Sequence, residues 1–146
     1  MRITIINLQN KVPVNSKRVA KTVQNVLSSE GIKKPGEITV CFVNDPEIKE
    51  LNLKYLGKNN PTDVIAFDIP GPKGKNKIFA DIVISTDRAI DNAGTFHTTP
   101  LFELYLYVIH GVLHILGYDD RNKKNRLIMH KKQLFLLNSL NLSPIT

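Results

Sequence analysis

The sequence predicts one domain in which a mixed β-sheet is covered by helices. Three observations point there. Short β-branched runs alternate with amphipathic stretches through the first half of the chain. Three helical stretches follow one another at its end. No repeat, low-complexity block or linker divides the 146 residues, so residues 1–146 read as a single domain, long enough to bury about two thirds of its unfolded surface. The element order is then β-α-β-α-β-β-α-α-α, a sheet layered with helices.

Residues 3–6 form the first strand. From Ser16 to Ser29, Val19, Val23, Val26 and Leu27 recur at helical spacing. Residues 37–43 are rich in β-branched side chains and read as a second strand. Asp45 offers an N-cap and Pro46 a first helical position, opening a helix that carries Ile48, Leu51 and Leu56. Residues 64–67 and 78–85 read as two more strands. The turn-rich residues 70–76 between them suggest an exposed hairpin connection. Helices are expected over 86–93, 100–116 and 122–138. The last has Leu127, Ile128, Leu134, Phe135 and Leu137 on or near one face, which reads as the face packed on the core.

Composition narrows the class. A hydrophobic fraction of 42% with 23% charged residues is that of an ordinary globular protein. The N-terminus lacks the apolar segment of a signal peptide. The one cysteine, Cys41, lies in an apolar run and reads as a buried structural thiol. No disulfide can form within the chain, so a reducing cytoplasm is its natural home. The net charge of +7 favours polyanionic partners through phosphate neutralisation. The basic groups are dispersed, however, and clusters such as Lys123/Lys124/Arg126 read equally well as solvated faces.

The chemistry concentrates in His110-Gly-Val-Leu-His114-Ile-Leu-Gly117-Tyr118-Asp119-Asp120. Residues four apart on a helix share a face, so His110 and His114 can hold one metal ion. Gly117 can end the helix and turn the chain, bringing Asp120 round as a third ligand. Two histidines and a carboxylate with a fourth position open to water make a catalytic type of zinc site. The surrounding run from Leu104 to Leu116 has no charged side chain. Such a helix is buried, and unpartnered imidazoles inside it would be costly. Its thirteen residues are too few for a membrane span of about 20. Asp119 is the rival third ligand. The spacing favours Asp120, since metzincin proteases place their third ligand there, and leaves Asp119 as a cap or a group behind the ligands. Those proteases also need a glutamate after the first histidine as general base, where this chain has Gly111. A metalloprotease is therefore the weakest reading. Residues 71–75 lack the spacing of a true phosphate loop. Ser85 and Ser139 have no base near them in sequence, and His97 and His130 receive no role.

Three stretches together resemble the YbeY family of bacterial metal-dependent endoribonucleases, the rRNA maturation factors. They are Leu51-Asn-Leu-Lys-Tyr55-Leu-Gly57-Lys58 with Pro61-Thr-Asp-Val64, then Ala80-Asp-Ile-Val-Ile-Ser85, then His110 to Asp120. The resemblance implies an α+β, zincin-like fold with a mixed four-stranded sheet and about five helices. It implies a zinc ion held by His110, His114 and Asp120, the aspartate standing where the family usually has a histidine. It further implies single-strand-specific cleavage of ribosomal RNA, in maturation of the small-subunit 16S RNA and in ribosome quality control. Ribosomal RNA and the small subunit or its proteins are the partners expected, with no membrane and no nucleotide cofactor. Leu56 stands where the family usually carries an arginine able to clamp a phosphate. Lys54, Lys58 or Arg121 are the candidates to bind substrate in its place. That substitution also motivates a rival reading, a non-catalytic ribosome-assembly factor whose metal serves stability.

Overall fold

A computed structural model describes residues 1–33, 35–69 and 77–140. The elements run β1 (Arg2–Asn7), α1 (Ser16–Ser29), β2 (Gly36–Val43), α2 (Asp45–Leu56), β3 (Val64–Asp68), β4 (Ile78–Ser85), α3 (Thr86–Phe96), α4 (Pro100–Ile115) and α5 (Lys123–Asn138). The architecture is α+β, with the strands in one sheet of order β1-β2-β4-β3. β1, β2 and β4 are parallel, in a register that sets Val40 between Ile5 and Ile82. β3 pairs antiparallel at the edge, with Ala66 opposite Ile82. The expected hairpin connection at 70–76 lies outside the described residues.

Strand periodicity explains the layering, because alternate side chains point to opposite faces. Ile38, Val40 and Phe42 of β2 and Ala80, Ile82 and Ile84 of β4 are fully buried in a core shared with α1, α4 and α5. The intervening Val43 and Val83 join Ile48 of α2 and Ile65 of β3 in a smaller cluster. Cys41 packs against that second cluster and is half-buried rather than buried. Burial, with Asp81 nearby, pushes its thiol pKa up, so it is no reactive nucleophile.

α4 is the central helix. Thr99 caps it by accepting a hydrogen bond from the Phe102 amide at 3.0 Å, and Pro100 occupies its first turn. Its apolar surface meets α1, α3, α5, β3 and β4, so it is enclosed on nearly every side. Gly111 is what lets it lie so close to the sheet: a Cβ there would stand 2.6 Å from Ile82 Cγ2.

Three expectations are corrected. The N-cap of α2 is Asn44, not Asp45. The Asp45 carboxylate instead accepts from Ser85 Oγ at 2.7 Å and Arg88 at 3.1 Å, which draws it across to the β4–α3 junction. α3 continues beyond residue 93 to Phe96 and stops at His97, whose φ of +56° is left-handed. In α5 the packed face is Met129, Gln133, Leu136 and Leu137, while Leu127, Ile128, Leu134 and Phe135 are exposed. The predicted apolar stripe, Leu137 apart, lies on the side of the helix away from the packed face.

Candidate metal centre

The centre is built at the C-terminal end of α4. His110 and His114 leave the same face of the helix, both partly buried, with ring centroids 4.8 Å apart. Gly117 then takes a φ of +104°. Its amide donates to the His114 carbonyl at 3.0 Å, and the Tyr118 amide to the Leu113 carbonyl at 3.0 Å. This is a Schellman closure, which reverses the chain within two residues. It brings Asp120 back, so that one ligand atom each from His110, His114 and Asp120 lies within 4.8 Å of the others.

Asp119 turns elsewhere. Its Oδ1 accepts from the Arg121 amide at 3.1 Å and from Asn125 at 3.0 Å, fixing the approach to α5, whose cap is Asn122. The side chains that converge are thus those of His110, His114 and Asp120, without Asp119.

Two features suit these residues to a divalent ion. The Gln133 amide oxygen lies 2.6 Å from His110 Nδ1. An amide oxygen can only accept, so Nδ1 carries the proton and Nε2 keeps a lone pair directed outward, the usual arrangement behind a metal-binding histidine. Burial, with His110 alongside, holds the His114 imidazole below its ordinary pKa against the opposing pull of Asp120 and Asp119. Its neutral form is the form that binds metal.

The triad opens into a cleft of about 450 Å³ whose other walls are the end of α2, the loop after it, and β3. Leu56, Lys58, Asp63 and Ala66 line it opposite the histidines. Gly57, at φ +70°, ends α2, and Asn52 holds the following loop through its side-chain amide on the Asn60 carbonyl at 2.8 Å. Of the three lysine and arginine candidates, only Lys58 lines the cleft. Lys54 sits over the Tyr55 ring, 5.2 Å from its centroid. Arg121 is exposed in the turn before α5 and lines neither the cleft nor the other hollow beside the triad. Ser85 is the buried N-cap of α3.

Sequence reasoning missed Gln133 and Asp63. A glutamine among lysines reads as solvated, yet its spacing from Met129 and Leu137, four residues either way, marks the packed face. Asp63 reaches the cleft only through the pairing of β3 with β4, which no local pattern shows.

The fold and site together define an α+β domain organised round a histidine–aspartate group able to hold a divalent metal. A family model described as Endoribonuclease YbeY matches residues 4–141, and the chain belongs to the YbeY endoribonuclease family. It is 36% identical over 151 residues to the Endoribonuclease YbeY of Pelotomaculum thermopropionicum, covering 98% of this chain and 99% of that one. The Endoribonuclease YbeY of Syntrophus aciditrophicus is 38% identical over 144 residues, covering 94% of this chain and 89% of its own. The solution structure of TM1509 from Thermotoga maritima superposes with a TM-score of 0.62 at 30% identity, over 94% of this chain and 88% of that one. Among the described residues no helix is long and apolar enough to cross a membrane.

Proposed function

We propose that residues 1–146 are a single metal-dependent hydrolase domain, a single-strand-specific endoribonuclease. It would act on small-subunit ribosomal RNA in the cytoplasm, in rRNA processing and ribosome quality control. One zinc ion would be held by His110, His114 and Asp120. The observation that carries this reading is the convergence of those three side chains at the head of an open cleft. The names of the relatives, all endoribonucleases, support the reaction class.

What a divalent ion supplies in such a place is Lewis acidity towards a phosphoryl oxygen and an activated water at neutral pH. The chain's own contribution is positioning. Gln133 fixes the tautomer of His110, burial keeps His114 neutral, and the glycine turn sets Asp120. Lys58 places a positive charge where the RNA backbone would enter the cleft. Its ammonium neutralises a phosphate as a point charge and gives no planar fork. Gly111 leaves no room for the glutamate base of a metalloprotease, since even a Cβ there strikes Ile82.

The test is cleavage of a single-stranded small-subunit rRNA fragment by metal-stripped protein, before and after zinc is returned. Activity is expected only with zinc, and a folded His114→Ala variant is expected to lose it. No cleavage at stoichiometric zinc would overturn the nuclease reading. It would favour the assembly-factor reading, which the exposed Leu56 at the cleft lip supports. Rescue of ribosome maturation by folded His114→Ala would then identify a binding role.

A further inference from the structure

The triad is flanked on its other side by a second hollow, of about 410 Å³, lined by His110, Asp120, Lys123, Arg126, Leu127 and His130 among others. We propose that this hollow is a phosphate subsite for the RNA strand, with Arg126 as its clamp and Lys123 as its second cation. The proposal rests on the endoribonuclease reading and adds to it a path for the strand, out of the cleft and across the triad onto α5.

Four observations lead there. His110 and Asp120 line both the cleft and this hollow, so a polymer crossing the centre has the hollow as its continuation. The first turn of α5 contains no acidic residue, yet it carries Lys123, Lys124 and Arg126. A helix N-terminus is the positive end of its dipole, so these cations repel the helix end as well as one another. Among the described residues none of the three is in an ion pair. An anion seated between Lys123 and Arg126, the two of them that line the hollow, relieves that repulsion.

Arg126 is also held in place. One guanidinium nitrogen donates to the Asp120 carbonyl at 3.3 Å, which keeps the group beside the triad with its other donors available. A planar guanidinium matches two phosphate oxygens at once. The cleft itself offers no such group, because Leu56 and Lys58 are what α2 and its loop present there. The exposed Leu127 adds an apolar surface beside the cations, suited to a ribose or base edge next to its phosphate. A solvated basic face would show the charges, but would have no reason to lie in a hollow shared with His110 and Asp120.

The experiment measures binding of a fluorescent single-stranded oligonucleotide with 2′-O-methyl riboses, checked by gel to be intact after each titration, across a salt series. Zinc-loaded wild type, Arg126→Gln, Arg126→Lys and Lys123→Gln are compared, with Lys17→Gln on α1 as control. Arg126→Gln is expected to weaken binding roughly tenfold, as for loss of a charge-assisted contact. The slope of log affinity against log salt should fall by about 0.7, the value for one phosphate of a single strand. Arg126→Lys should keep the slope while losing part of the affinity. Bound zinc is measured in each variant and should not change. Unchanged affinity and slope in Arg126→Gln would overturn the subsite, as would a loss of affinity that follows loss of zinc. The two readings fail separately. Strand binding through Arg126 by a protein that cuts no RNA leaves the subsite standing and removes the nuclease. Full RNA cleavage by Arg126→Gln, with unchanged KM, does the reverse.

Discussion

Single residues decide how the centre is set. Gln133 lies on the buried face of α5, 8% exposed, with its amide oxygen on His110. Replacing it by leucine removes the acceptor that fixes the imidazole tautomer. Outer-shell partners of this kind are worth about 10–100-fold in metal affinity. Gln133→Leu is therefore expected to weaken zinc binding by that range, measured by competition with a chromophoric chelator, while Gln133→Glu restores it. Equal zinc affinity in all three proteins would show that the contact is packing only. Gly111 acts through space instead of through charge, since its missing side chain is what allows α4 to approach β4.

At the scale of elements, Glu30 joins three of them. It is the C-cap of α1, and its carboxylate accepts from the Tyr118 hydroxyl in the turn after α4 and pairs with Lys132 of α5 at 3.0 Å. Burial pushes the Glu30 carboxyl up, but the Tyr118 and Lys132 partners outweigh it and hold it below the usual carboxylate range. The same contact pushes the Tyr118 hydroxyl up to about 12. A carboxyl depressed on folding binds fewer protons than in the unfolded chain. Its stabilisation is thus complete above the ordinary carboxylate value and is lost as pH falls through the depressed one. Tyr118→Phe is expected to cost about 1.5–3 kcal/mol in urea unfolding at neutral pH, as for a hydrogen bond to a charged group. The deficit should shrink on acidification. A deficit that stays constant down to the acid transition would mean the ring, rather than its hydroxyl, supplies the stability.

For the whole molecule, what the sequence makes legible depends on how local each cause is. Strands and helices follow from periodicity within a few residues, and the observed elements match the expected order throughout. The histidine pair and the glycine turn are local too, so the triad could be anticipated from one eleven-residue run. The face of α5 could not. The exposed Leu127, Ile128, Leu134 and Phe135 outnumber Met129, Leu136 and Leu137 on its packed side, and only the position of α4 determines which side is covered. The opposite cleft wall was hidden for the same reason, being assembled from α2, β3 and the loop between them. Asp45 was misplaced because its partners, Ser85 and Arg88, lie some forty residues away.

Asp120 serves two neighbours with different atoms: its carboxylate belongs to the triad, and its backbone carbonyl holds Arg126. An ion drawing on the carboxylate and a strand drawing on the guanidinium then pull on one peptide segment. Their binding free energies are expected to be coupled through it, and thermodynamic reciprocity requires each to alter the other's affinity by the same factor. Zinc titrated with and without the 2′-O-methyl strand, and the strand titrated with and without zinc, should yield one common ratio different from unity. A ratio of one in both would mean that the segment transmits nothing. Any other value makes metal supply a control on how tightly the protein holds its RNA, before a single bond is cut.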